Sequence, residues 1–79
     1  MKETGSFVLN DGSKYVGEME NGLPEGIGTY YFANGNKYEG ELKRGLQHGL
    51  GRLTFPNGEK YEGYFLNGQK HGQGKYVWP

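Results

Sequence analysis

Two histidines, His48 and His71, stand 23 residues apart in matching surroundings, and Glu25 occupies the equivalent place one period earlier. Imidazole and carboxylate are metal ligands, but a shared ion needs them to converge. Equivalent loops on repeated strand pairs lie about 9–10 Å from one another, too far for one ion to bridge neighbouring imidazoles. No metal site is expected from them. The Gly-x-Gly triplets at 26–28 and 49–51 could suggest a phosphate cradle, yet that cradle joins a strand to a helix N-terminus. No segment of this chain has helical periodicity. Cysteine is absent, so there is no thiolate nucleophile, disulfide or thiolate metal site. No nucleophile is spaced with a base, no carboxylate pair stands out, and 79 residues leave little chain to enclose a pocket. The reading is a non-enzymatic chain with no catalytic residue, metal or cofactor. What remains for chemistry is aromatic surface: Phe, Tyr and Trp make up 15% of a chain that is only 33% hydrophobic.

The elements that carry those rings follow from glycine. All 16 glycines fall into five columns spaced 23 residues apart. Tyr15/Tyr38/Tyr61 and Lys14/Lys37/Lys60 keep the same period, so the chain is a repeat protein. Each period holds two short alternating runs separated by turn-rich clusters, which reads as strand, loop, strand, turn. Asp11-Gly12, Asn34-Gly35 and Asn57-Gly58 are hairpin signals. Seven strands are expected, at about 5–10, 14–20, 27–33, 37–43, 50–56, 60–66 and 73–78. The fold class is all-β: a single elongated, twisted antiparallel sheet of stacked hairpins in one domain, 1–79. It holds a partial repeat at 1–13 and repeats at 14–36, 37–59 and 60–79.

Side chains alternate faces along a strand, so register can be argued from parity. A six-residue loop at 21–26 sets Gly17 opposite Tyr30. A three-residue loop at 34–36, with Gly35 and Gly58 in a left-handed conformation, sets Tyr30 opposite Gly40. These two registers are consistent with the period over the whole chain. They sort one face into three cross-strand rows: Leu9, Tyr15, Phe32, Tyr38, Phe55, Tyr61, Trp78; then Phe7, Gly17, Tyr30, Gly40, Leu53, Gly63, Tyr76; then Gly5, Met19, Gly28, Leu42, Gly51, Phe65, Gly74. Large residues are expected directly opposite the glycines Gly17, Gly28, Gly40, Gly51, Gly63 and Gly74, their rings covering bare backbone. Gly40→Val should then displace Tyr30 or Leu53. The other face is mostly polar, with Glu41 expected to pair with Arg52.

Nine basic and nine acidic residues cancel. The chain therefore lacks the positive field of a nucleic-acid binder. No leader, long apolar run or Asn-x-Ser/Thr sequon is evident. The expected location is cytoplasmic, at the cytoskeleton or the cytoplasmic face of a membrane.

From Tyr38-Glu39-Gly40-Glu41-Leu42 through Gly45 to His48-Gly49 and Gly51, the chain resembles the MORN repeat (membrane occupation and recognition nexus). The motif returns at Tyr61–Tyr76 and, more loosely, at Tyr15–Tyr30. Glu25 stands where the motif has His, and Tyr64 where it has Glu. The resemblance spans about Gly5 to Trp78. It implies stacked hairpins with an aromatic-lined groove and no activity of their own. It further implies a scaffold, dimerisation or peptide-binding role, with phospholipid association as an alternative. Another alternative is an accessory repeat segment of a larger enzyme.

A single sheet has nothing above its aromatic face. Seven strands make a strip roughly 30 Å long, large for an exposed apolar surface. Coiling would curl it into a groove for an apolar helix or extended peptide. The expected partner-binding residues are Tyr15, Tyr30, Phe32, Tyr38, Leu42, Phe55, Tyr61, Phe65, Tyr76 and Trp78. Open terminal strands suggest a homodimer or end-to-end oligomer. An anionic lipid is a further candidate partner, through Lys14, Lys37 and Lys60, with Glu18, Glu39, Glu41 and Glu62 offsetting the attraction.

Overall fold

The computed structural model describes residues 3–79. They form β1 (Glu3–Val8), β2 (Lys14–Glu20), β3 (Leu23–Tyr31), β4 (Lys37–Lys43), β5 (Leu46–Thr54), β6 (Lys60–Leu66) and β7 (Gln69–Val77). The seven strands make one antiparallel sheet in chain order. The fold is all-β, in hairpins.

Two kinds of connection alternate. Between β3 and β4, Phe32 N–H donates to the Asn36 carbonyl at 2.8 Å and Gly35 N–H to the Phe32 carbonyl at 3.0 Å. The same pair of bonds recurs at Leu9/Ser13 and Phe55/Glu59. The loop is three residues with a left-handed glycine, φ 95° at Gly35 and 93° at Gly58. It sits at 33–35, one residue earlier than the expected 34–36. Asp11, Asn34 and Asn57 brace these loops by accepting the N–H two residues on.

The expected six-residue loop at 21–26 is not formed. Glu20 pairs with Leu23, leaving Asn21-Gly22 as a two-residue turn. Arg44-Gly45 and Asn67-Gly68 repeat it, with φ of 54°/79°, 52°/84° and 50°/85°. Both central residues are left-handed, as a type I′ hairpin requires. Strands β3, β5 and β7 therefore begin at 23, 46 and 69 rather than 27, 50 and 73. They also end earlier than expected, at 31, 54 and 77.

A bulge absorbs the difference. Register shifts between Gly17 and Met19 against β3, between Gly40 and Leu42 against β5, and between Gly63 and Phe65 against β7. The amide it frees is recaptured by a side chain: Ile27 N–H donates to Glu18 Oε1 and Leu50 N–H to Glu41 Oε2, each at 2.7 Å. A bulge bends its strand and increases twist.

The resulting register differs from expectation by two residues, so the faces stand but the rows change. Glycine lies opposite glycine: Gly5–Gly17–Gly28–Gly40–Gly51–Gly63–Gly74 form one unbroken row. The large residues lie opposite each other in a second row, Phe7–Tyr15–Tyr30–Tyr38–Leu53–Tyr61–Tyr76. Rings reach the glycines diagonally instead. A Cβ on Gly51 would sit 2.6 Å from Tyr38 Cζ, and one on Gly28 2.5 Å from Tyr15 Cζ. A Cβ on Gly40 would meet Gly51 Cα at 2.5 Å and Leu50 O at 2.6 Å, so Gly40→Val strikes backbone rather than Tyr30 or Leu53. The expected Glu41–Arg52 pair is also absent. Arg52 Nε meets Glu62 at 2.9 Å, because Glu41 is turned to the bulge.

Candidate functional site

The core consists of Tyr15, Tyr38, Tyr61, Leu42 and Phe65. Tyr15 and Tyr38 are 0% exposed. Each crosses the glycine row and donates its hydroxyl to a carbonyl on its own strand, Glu18 for Tyr15 and Glu41 for Tyr38, both at 2.6 Å. Burial, then the nearby Tyr30 and Glu18, pushes the Tyr15 phenol up to about 12. Burial and then Glu41 do the same to Tyr38, also to about 12. Phe65 meets the edges of Tyr38 and Tyr61, with centroids 5.1 and 5.5 Å apart. These five residues are the floor of the aromatic face, closed to a partner while the sheet is intact.

Above that floor the sheet curls. The Gly45 N–H donates to the Pro24 carbonyl at 2.9 Å and Gly68 N–H to the Gln47 carbonyl at 3.0 Å, stacking the two-residue turns along one edge. Glu25 reinforces the stack by accepting the Arg44 N–H at 3.0 Å. The Tyr30 hydroxyl reaches the Gly45 carbonyl at 3.2 Å, tying the turn edge to the aromatic row. Between them lies a groove of about 300 Å³, lined by Leu9, Tyr30, Phe32, Gly45, Leu46, Gln47 and Gly68. Tyr30 and Phe32 stack at 5.6 Å and 13° to form one wall. Leu46, 47% exposed, stands on the other.

Of the ten residues expected to meet a partner, Tyr30 and Phe32 line this groove. Phe55, half-buried, stacks on the exposed Tyr76 at 6.4 Å, and Tyr76 stacks on Trp78, which is 69% exposed. The remaining five are the buried floor. Sequence reasoning placed Leu9 on this face without counting it among the partner contacts, and it missed Leu46, Gln47 and the turn glycines. The signal was present: Asn21-Gly22 and Asn67-Gly68 are two-residue hairpin dipeptides, and reading them so places residues 23–26 and 69–72 in strands and, by the 23-residue period, 46–49 as well.

Lys70 was missed as well. It occupies the column of Pro24 and Gln47, two residues after Gly68. Its ammonium stands 4.6 Å from the Tyr76 ring centroid, 5.0 Å from Tyr61 and 5.9 Å from Phe55, and donates to the Tyr76 hydroxyl.

The opposite face is polar. A trough of about 600 Å³ runs over the backbone of Gly40, Gly51 and Gly63, between Leu50 and the Glu39, Arg52 and Glu62 side chains. Though larger, it is shallow, and its charges are already paired: Arg52 with Glu62 at 2.9 Å, Lys75 with Glu62 at 4.0 Å, Lys37 with Glu39 at 3.7 Å. The register puts Lys14, Lys37 and Lys60 in one row here, alternating with Tyr31 and Thr54. His48 lies near Glu18, Glu25 and Glu41, whose carboxylates accept backbone amides. No group of three His, Cys, Asp or Glu side chains forms a metal site among the described residues.

A search of curated proteins finds no significant match. The family model for the MORN repeat matches three consecutive segments, residues 15–37, 38–60 and 61–79. Repeats of this family serve in interactions with proteins or membranes.

Proposed function

The chain belongs to the MORN-repeat family, and from that premise we propose that it is a non-enzymatic, cytoplasmic interaction scaffold whose aromatic groove holds a segment of a partner protein. The observation that carries this reading is the groove beside Tyr30, Phe32 and Leu46. It is apolar and open, whereas the charges lining the trough on the opposite face are mutually paired. Interfaces draw their energy from a few aromatic and apolar anchors in such recesses. Phe32→Ala and Leu46→Asp should each weaken partner capture at least tenfold while circular dichroism remains that of the parent. Undiminished capture by both folded variants would sink the reading.

Self-association is a second part of the proposal. All nine residues of β7 are exposed, and Tyr76 and Trp78 lie unshielded beside its free edge. An unprotected edge strand is a template for pairing with another chain. Light scattering over a wide concentration range should show the mean mass rising. A constant monomer mass would exclude it.

Membrane contact, the family's other mode, would use the opposite face and its lysine row. Glu39 and Glu62 dilute that row, which is why the partner groove is the favoured reading. Flotation with anionic vesicles separates the two: retention of the chain in the lipid fraction, lost on Lys14→Glu/Lys60→Glu, would favour lipid.

A further inference from the structure

The aromatic face that holds the groove carries one asymmetry of charge. Strand residues whose side chains share the aromatic face are uncharged from β2 to β6. Charge enters only at the two edges, with Glu3 on β1 and Lys70 on β7. Lys70 replaces an uncharged residue: its column holds buried Pro24 and half-buried Gln47 in the earlier repeats. Its ammonium is held by three π-faces and one phenol oxygen, and no carboxylate pairs with it among the described residues. Such contacts fix the position of a cation without neutralising it.

We propose that the groove's occupant is an apolar segment of a partner protein carrying a carboxylate at its β7 end, where Lys70 receives it. Apolar side chains would seat against Tyr30, Phe32 and Leu46, and the acid would follow past Gly68. The rings that now hold Lys70 keep its ammonium on the aromatic face, two residues beyond Gly68 of the groove and one repeat beyond Gln47. A charge already positioned by ring faces gives an incoming carboxylate a more orienting contact than a freely rotating surface lysine does. Polarity along the groove follows: the segment binds in one direction.

This rests on the groove serving as a docking site, and the test separates the two. A random-peptide display library is selected against the folded chain. Peptides with an Asp, Glu or terminal carboxylate on one side of an apolar anchor should be enriched. The best of them, labelled and titrated by fluorescence anisotropy, should bind Lys70→Met about tenfold more weakly. Selection against Lys70→Glu should turn the enriched charge to Lys or Arg. Peptides that lose binding on Leu46→Asp yet ignore Lys70→Met and show no acidic bias would overturn this inference and leave the docking site standing. If no peptide is enriched, or those enriched are indifferent to Leu46→Asp, the docking site itself falls and this inference with it.

Discussion

At the scale of single residues, tyrosine and glycine form one device. Tyr15, Tyr38 and Tyr61 lie diagonally over Gly28, Gly51 and Gly74, and any Cβ there would enter the ring. Gly51→Ala should therefore cost about 3 kcal/mol, the upper range for overpacking. Glu39→Val on the solvated face should stay within about 0.5 kcal/mol. Urea midpoints compare the two, and equal costs would contradict the ring-over-glycine geometry. The phenols give a pH signature. Tyr15 and Tyr38 are held up to about 12 in the folded state, against an ordinary value of 10.0. Burial favours the neutral form, so this contribution is complete below pH 10 and drains away as pH rises toward 12. Absorbance titration should show the Tyr15 and Tyr38 phenols ionising late, with Tyr30 also raised by burial, coincident with alkaline unfolding. Seven tyrosines titrating together near pH 10 would refute the buried placement.

At the scale of elements, the bulge is the joint of the repeat. It lets a two-residue turn and a three-residue loop share one sheet while bending each second strand. Glu18 and Glu41 each cap the amide it exposes. The equivalent in β6 is Tyr64, facing the Gln73 position, and a phenol cannot accept that amide as a carboxylate does. Tyr64→Glu should restore the cap and stabilise the chain by about 0.5–1 kcal/mol, the usual net worth of one such hydrogen bond. Chemical denaturation checks it, and a loss of stability would show that the third joint works differently. Much at this scale was legible beforehand. The two-residue alternation, the three-residue loop and the left-handed Gly35 and Gly58 all follow from local chemistry. Asn21-Gly22 was legible too, but the neighbouring glycines at 26 and 28 made the region look like one wide loop.

At the scale of the molecule, the sheet is a one-dimensional stack, 36 × 26 × 16 Å, in which each strand is supported by its sequence neighbours. Stability in such stacks is greatest inside and least at the ends. Amide exchange should be slowest in β4 and β5, beside Tyr38 and Leu42, and fastest in β7, whose residues are all exposed. Uniform protection across the seven strands would mean the array opens only as a whole. The same gradient bears on docking. The groove wall at Tyr30 and Phe32 is anchored in the firm centre, whereas Tyr76, Trp78 and Lys70 sit at the end most able to adapt to a partner.

The sequence by itself determined the period, the strand count, the two faces and the family, because these depend on alternation and on local turn chemistry. It could not decide which residue faces which. A two-residue slip preserves every face, so parity alone is blind to it. Close backbone approach along the glycine row, visible only when strands are brought together, selects glycine opposite glycine and sends each tyrosine diagonally across. That choice in turn buries Tyr15, Tyr38 and Tyr61. The curl of the sheet, set by three bulges and the stacked turns, then brings Leu46 and Gly68 over to Tyr30 and Phe32. Those contacts join residues distant in the chain, and only the tertiary structure makes a groove of them.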